Sequence, residues 1–450
     1  MSSTTAAPAS KVQGALGSLG VYTHAVVVFT GADGYPMSGA SDFSLQDGQL
    51  RLKPVNFGEP IPAGTAVRLV FSHIRPQAGV GYDERTYVEF SGELEQGAQE
   101  WIFEPTSVRG WAEADIPFME LCERALPQAR KYMAGLSHEK GVEVKPVMSV
   151  GLKFFLATRL PFLSATLVPV FLGIAAAGLE HHFSFGLALL TLLGAISVHL
   201  GLNVANDVFD ARSGADDYNV NPTMFSGGSR VIQYGLVSLR QMVAIMVTCY
   251  LIATVIGLAL VALTGIGLLW LGVAGVLISF FYTAPPLKLV HRGLGEIAVA
   301  LGFGPIMLLG AYFVQTGHYA LRPAILSIPV ALLVMLILYA NEIPDRVADA
   351  RAGKRTLVVR LSREAVLTGY TVSVSLVYIA LVVSIITRIL PWPTALGLLT
   401  IPLAIKTQRG LAANYDNPYV LMNSLQNNVL LHLATGMLLV VGTLLGLLLG

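Results

Sequence analysis

The chain has 450 residues, 54% of them hydrophobic and only 13% charged, with a mean hydropathy of +0.64. A soluble protein of this length carries roughly twice that share of charge, and several apolar stretches exceed the ~18 residues that cross a bilayer, so a purely soluble enzyme is excluded. A formal net charge of +1 leaves no electrostatic footprint for a nucleic-acid partner.

The composition changes near residue 145. Residues 1–140 hold 16 acids against 11 Lys and Arg, whereas residues 141–450 hold 12 acids against 18. This predicts a soluble domain over 1–140, a linker over 141–152 and a membrane domain over 153–450. The first twenty residues are small and polar without an apolar core, which predicts no secretory signal. Cys122 and Cys249 lie in unlike regions, one polar and one apolar, so neither a disulfide framework nor a cysteine metal site is expected.

In chain order, the β-branched run from Val21 to Phe29, the turn Ala32-Asp-Gly-Tyr-Pro36, Phe43-Ser-Leu, the turn Gln46-Asp-Gly48 and the alternating Gln49-Leu-Arg-Leu-Lys53 read as strands and hairpin turns. Ala66 to Phe71 and Thr86 to Phe90 continue the series, and a helix with Asp115 as N-cap sets Phe118, Leu121, Cys122 and Ala125 on one face. Strands at this spacing predict a small barrel. Nine apolar helices follow, over roughly 155–177, 186–205, 239–263, 266–283, 294–316, 322–340, 365–387, 392–405 and 427–449. Lys and Arg crowd the segment before the first helix and alternate loops, 17 against two (Arg322 and Arg388) on the other side. The positive-inside rule then places the first domain and those loops in the cytoplasm of a cell-membrane protein. Nothing in the sequence sets an oligomeric state.

The acids of the membrane part are unevenly placed. Asp207, Asp210, Asp216, Asp217, Glu296, Glu342, Asp345 and Asp349 gather at the cytoplasmic ends of the second, fifth and sixth helices, and a carboxylate near bilayer depth is too costly to keep without a function. If the second helix continues through the first cluster, Asn203, Asn206 or Asp207, and Asp210 share one face; Asn341, Asp345 and Asp349 share another. Amide and carboxylate oxygens suit Mg²⁺, which bridges to phosphate oxygens, so the two arrays read as a seat for a diphosphate, with Arg212, Arg230, Lys288, Arg292, Arg351, Lys354 and Arg355 available to neutralise it. Helix-end pairing at the interface would explain any single acid, but not two matched arrays. His199, one turn before Asn203, faces the same cavity or bonds a neighbouring helix. Tyr282, beside a Pro-Pro break, guides substrate or belongs to the interfacial belt. Glu296 locks a loop before it serves in chemistry, and His181 and His182 are interfacial. A cation-coupled transporter is the reading from another class; internal repeats and midplane polar groups mark such proteins, and neither is visible.

Asn206-Asp207-Val-Phe-Asp210, Asp345-Arg-Val-Ala-Asp349, Tyr282-Thr-Ala-Pro-Pro-Leu-Lys288 with Arg292-Gly-Leu-Gly-Glu296, and Ala352-Gly-Lys-Arg-Thr-Leu-Val-Val-Arg-Leu361 resemble the motifs of UbiA-type intramembrane prenyltransferases over about residues 150–450. Asp210-Ala-Arg-Ser-Gly-Ala-Asp216 followed by Phe225-Ser-Gly-Gly-Ser-Arg230 is similar to the 1,4-dihydroxy-2-naphthoate prenyltransferases of menaquinone synthesis. The resemblance implies a nine-helix multi-pass all-α membrane domain and Mg²⁺- or Mn²⁺-dependent transfer of a polyprenyl group from its diphosphate to an aromatic acceptor, 1,4-dihydroxy-2-naphthoate first, whose carboxylate would leave as CO₂. 4-Hydroxybenzoate, a chlorin or a lipid glycerol is the alternative acceptor. Metal ligation falls to Asn203, Asn206, Asp207, Asp210, Asp216, Asn341, Asp345 and Asp349, and diphosphate binding to Arg212, Arg230, Arg292, Lys354 and Arg355. Asp207, Asp210, Asp345, Asp349, Lys288 and Tyr282 carry the chemistry. The N-terminal strand and turn order resembles the split β-barrels of pyridoxamine-phosphate-oxidase-like proteins, which would allow flavin, with Arg51, Lys53 or Arg68 toward its phosphate. Surface cations without a ligand are the commoner case for those three, and flavin is not part of the expectation.

Overall fold

The computed structural model describes residues 9–32, 34–46, 48–58, 60–61, 64–77 and 81–449, which divide into two compact units, Met1–Ala125 and Leu126–Gly450. Asp33 and Asp47 of the two expected turns lie outside the described residues.

The first unit pairs a short helix, α1 (Ala9–Gly17), with seven strands: β1 (Ala25–Thr30), β2 (Pro36–Ser41), β3 (Phe43–Gln46), β4 (Gln49–Leu52), β5 (Val67–Gln77), β6 (Gly81–Gln96) and β7 (Trp101–Ala112). All pairings are antiparallel, in the order β2-β1-β5-β6-β7-β4-β3. Consecutive strands β2 and β3 thus lie at opposite edges with only Asp42 between them, so the sheet curls until its edges meet at that corner, as a half-barrel. Lys53 N donates to the Asp42 carbonyl (3.0 Å) and Ser41 Oγ to the Lys53 carbonyl (2.7 Å), which ties the corner. Period-two alternation puts Val27, Phe29, Leu50, Leu52, Leu69, Phe71, Phe90 and Phe103 inside with Val12 and Leu16 of α1. Each such side chain contributes about 1.5–3 kcal/mol relative to exposure.

Two local expectations shift. The run from Val21 becomes a 3₁₀ turn, Leu19–Val21, before β1. Asp115 does not cap the next helix: α2 (Phe118–Lys140) begins three residues later, with Leu121 N bonded to the Pro117 carbonyl (3.0 Å) and the Trp111 indole donating to the Ile116 carbonyl (2.7 Å). Proline has no N–H to lose at a helix start, so the helix begins after Pro117. β7 contains Pro105, which normally marks an edge strand; it lies beyond the stretch of β7 that β4 covers (Trp101 to Phe103) and at an irregularity opposite Gly92, where any Cβ would meet the Glu104 carbonyl oxygen at 2.1 Å. Arg51 bonds Glu100 (2.8 Å), Lys53 bonds Asp42 (2.6 Å) and Arg68 faces Glu89 (3.7 Å), so each of these cations is matched by a carboxylate.

The second unit, which α2 enters, is helical: α3 (Val150–Thr158), α4 (Ser164–Gly178), α5 (Phe185–Ser213), α6 (Leu239–Thr264), α7 (Gly267–Phe281), α8 (Gly295–Leu301), α9 (Met307–Thr316), α10 (Leu321–Arg351), α11 (Leu357–Arg360), α12 (Arg363–Ile386), α13 (Ile401–Ala413) and α14 (Pro418–Leu449). A π turn, Gly302–Ile306, joins α8 to α9. Among the described residues six helices are long and apolar enough to cross a membrane: α5, α6, α8 with α9, α10, α12 and α14; α4 and α7 are apolar but shorter. The expected first helix starts late because Arg159 turns left-handed (φ 55°) before the 3₁₀ turn Leu160–Leu163. The expected eighth splits into a 3₁₀ stretch, Trp392–Thr400, and α13, since Pro391, Pro393 and Pro402 remove backbone donors there. Long α10 forms the centre: Val330 and Val334 pack with α4 and α14, while Leu333, Leu336 and Ala340 pack with α12, α13 and α14.

Candidate active site

α5 stays helical beyond its apolar run to Ser213, where Gly214 adopts the left-handed conformation (φ 74°) that closes it. The 3.6-residue period then sets Asn203, Asn206 and Asp210 on one side, and all three line a polar cavity of about 170 Å³. α10 continues through Pro344 to Arg351 and brings Asn341, Glu342, Asp345 and Asp349 to the same cavity.

The loop after α5 spans the two arrays with backbone donors. Gly227 N bonds Asp345 Oδ2 (2.9 Å), Asn219 Nδ2 bonds Asp345 Oδ1 (2.8 Å), and Ser229 N lies 3.3 Å from both Asp207 oxygens. Gly227 and Gly228 sit at φ 80° and 76°, and a Cβ on Gly228 would meet Asp216 Oδ1 at 3.0 Å; the close approach and the backbone conformation both require glycine. Asp216 accepts from Gln233 Nε2 (3.1 Å), and its carbonyl accepts from the Arg230 guanidinium. Burial, with Asp210 and Asp207 nearby, holds the Asp216 carboxyl well above the usual carboxylate range. Lys354 bridges the arrays, 2.8 Å from Asp210 Oδ2 and 3.6 Å from Asp349 Oδ1. Burial alone would lower its ammonium, but those carboxylates raise it above the ordinary lysine range.

Among the other expected residues, Asp207 is buried behind the cavity wall, and Asn203 donates its amide to the Thr158 carbonyl (3.0 Å). Lys354 lines the cavity; Arg230 is buried at Asp216. Lys288 is half-buried in a left-handed turn (φ 45°), and Arg212, Arg292, Arg351 and Arg355 are exposed; none of these five lines the cavity. The reason is local: Arg212 stacks on Phe209 (5.9 Å) and Arg292 bonds the Pro286 carbonyl (3.1 Å). Glu296 accepts from Leu357 N (3.0 Å) and so locks the loop after α10. The cavity also takes Gly227 and Gly228 of the Phe225–Arg230 segment, and Arg159 and Asn219, which motif spacing does not single out. The turn ahead of Pro161 is the only local signal for Arg159.

An apolar cavity of about 410 Å³ adjoins the polar one, lined by residues such as Val198, Val261, Leu268, Val276 and Ile306. His199, Leu202, Tyr282, Val299 and Phe303 line both. One ligand with a charged head and a long apolar tail fits this pair.

The donor chemistry fits a hard divalent cation. Asp210 Oδ1 is buried without a hydrogen-bond partner among the described residues, while Asn206, Asn341 and Asp349 share its cavity. Among the described residues no group of three His, Cys, Asp or Glu is placed to hold a metal ion by itself. Mg²⁺ typically takes one or two carboxylates and completes its shell with water and substrate phosphates, which suits such an open set.

The chain matches the UbiA prenyltransferase family over residues 166–425. It is 28% identical to a 2-carboxy-1,4-naphthoquinone phytyltransferase of Synechocystis over 64% of this chain and 91% of that one. It is 25% identical to the 1,4-dihydroxy-2-naphthoate octaprenyltransferase of Bacillus subtilis over 66% and 93%, and 30% identical to that of Mycobacterium tuberculosis over 53% and 79%. A solved UbiA homolog from Archaeoglobus fulgidus, bound to GPP and Mg²⁺, covers 64% of this chain and 99% of its own at 14% identity, with a TM-score of 0.47. With its two acid-bearing helix ends meeting at one cavity and a family match over more than half its length, the chain belongs to the UbiA prenyltransferase family and is an integral membrane enzyme that transfers prenyl groups.

Proposed function

We propose that the protein transfers a polyprenyl group from its diphosphate to 1,4-dihydroxy-2-naphthoate, a step of menaquinone synthesis, with Mg²⁺ or Mn²⁺. The observation that carries this is the polar cavity joined to an apolar one through five shared residues; the names of the Synechocystis, Bacillus and Mycobacterium relatives support the acceptor. Asp210 and Asp349, with the amides of Asn206 and Asn341, hold the cation, and Asp207, Asp216, Asp345 and Asn203 shape the seat. The bound cation supplies charge that neutralises the leaving diphosphate. Lys354 and Arg159, both on the cavity wall, contribute fixed positive charge to the same end, with Arg230 behind them. The Tyr282 ring stands where the donor's allylic carbon becomes cationic, a charge that an aromatic face attracts. The apolar walls hold the tail and keep out water that would trap the cation.

In this reading the chain crosses the membrane nine times, the short α4 and α7 included, with the acid-bearing loops and the N-terminal domain on the cytoplasmic side. Residues 153–450 carry the transfer, 141–152 connect, and 1–140 form an accessory half-barrel domain. The test is incubation of purified protein with labelled prenyl diphosphate and a panel of acceptors. Product with dihydroxynaphthoate and none with 4-hydroxybenzoate, a chlorin or a lipid glycerol is expected; product with one of those alone sinks the acceptor assignment. Cation-driven solute uptake without prenyl product would favour a transporter.

A chain beginning at Val142 is expected to insert and transfer prenyl groups, but several-fold more slowly than full-length protein at equal membrane levels. It lacks Arg130, whose Nε bonds the Gln233 carbonyl at 2.8 Å, so the loop carrying Gln233 loses a strut. A chain beginning at Pro117 should recover that loss, and no recovery would refute the strut.

A further inference from the structure

We propose that His199 binds a ring hydroxyl of the aromatic acceptor through Nε2 and so fixes which ring carbon faces the donor. The inference rests on the prenyl-transfer reading above.

The imidazole is buried, 3% exposed, and held from two other helical segments. Thr166 Oγ1 of α4 sits 2.6 Å from Nδ1, and Phe303 of the π turn meets the ring edge-on at 5.1 Å between centroids. These contacts leave Nε2 as the heteroatom with no protein hydrogen-bond partner among the described residues. Of the five residues shared by the two cavities, His199 and Tyr282 are the ones with polar side-chain atoms. At ~1.5 Å per residue along α5, His199 lies about 6 Å from Asn203 and about 16 Å from Asp210. The second distance is too long for a contact with the cation or the diphosphate held there; the first is about one aromatic ring system. A group bonded to Nε2 therefore sits where head and tail of the donor meet. A neutral imidazole presents one donor and one acceptor, and a phenolic hydroxyl is both, so a ring hydroxyl matches Nε2 whichever tautomer Thr166 selects.

The test compares initial rates at saturating donor for wild type, His199→Leu, His199→Gln and Thr166→Val. Each enzyme is given the parent acceptor and the two analogues in which one ring hydroxyl is O-methylated. In wild type one methyl ether should lose about tenfold in kcat/KM, the scale of one hydrogen bond. His199→Leu should lose about tenfold on the parent acceptor and no longer discriminate against that ether. Its KM for prenyl diphosphate should stay within about twofold of wild type. Gln should restore part of the discrimination and Thr166→Val should lose part. Discrimination that persists in His199→Leu, or wild type that discriminates against neither ether, overturns the proposal; the second result needs no variant to fold. Should wild type use a different phenol instead of dihydroxynaphthoate, the acceptor reading has failed, and the same hydroxyl and ether pair on that phenol still decides the role of His199.

Discussion

Asp210→Ala is expected to lower prenyl transfer by about three orders of magnitude, the scale on which loss of a preorganised electrostatic contact to a reacting group is felt. Asp210 joins three features that no neighbour combines. One oxygen holds Lys354 at 2.8 Å, the other is buried without a hydrogen-bond partner among the described residues, and the side chain lines the polar cavity. Asp345 and Asp207, by contrast, have their oxygens engaged by Asn219 and Gly227, and by Ser229. Asp345→Ala should therefore also abolish turnover, while additionally loosening the loop that covers the site. Limited proteolysis within 219–229 separates the two: Asp345→Ala increases cleavage and Asp210→Ala does not. Rates are read from labelled product at saturating Mg²⁺ with equal amounts of inserted protein. Retention of more than a few per cent of wild-type rate by Asp210→Ala would refute the diphosphate seat.

Removing divalent cations should abolish turnover, with recovery on adding back Mg²⁺ or Mn²⁺. Asp210 is buried, and Asp345 and Asp349 are half-buried beside it on the cavity wall. Lys354 is committed to Asp210 and Asp349. A diphosphate brought to this surface meets net repulsion unless a cation screens it. Ca²⁺ should restore less, because it prefers longer bonds and more ligands than this set offers. The measurement is product formation after treatment with a strong chelator, then with each metal in turn. Undiminished turnover in metal-free buffer would exclude this arrangement.

Both arrays were legible before any fold was known, because the spacing of Asn203, Asn206 and Asp210 and of Asn341, Asp345 and Asp349 needs only helical periodicity to become a face. Lys354 stands out in the sequence only together with the six other cations near the arrays. The surrounding cations were not separable by proximity in sequence: Arg212 and Arg355 are two and one residues from Asp210 and Lys354, yet point to solvent. Arg159 stands 51 residues before Asp210 but lines the cavity. A count of nearby charges cannot tell these apart, since the direction of a side chain depends on where the helix ends and which turn follows.

In the half-barrel, alternation in Gln49-Leu-Arg-Leu-Lys53 was enough to place Leu50 and Leu52 inside, as each decision is local. Pro105 in β7 breaks no pairing with β4, whose ladder ends at Phe103, and it meets Gly92 of β6 at an irregularity, a placement that depends on which strands become neighbours. Likewise, hydropathy and the runs of apolar residues alone established a membrane protein with two acid-bearing helix ends, because the cost of burying charge in lipid applies to any fold. That those ends converge, that Gly227 and Ser229 N–H groups hold Asp345 and Asp207, and that a polar and an apolar cavity share His199 and Tyr282 depended on tertiary packing. Contacts between residues more than a hundred positions apart, such as Lys354 with Asp210, leave no period in the chain; they exist only once α5, α10 and the loops between them are packed together.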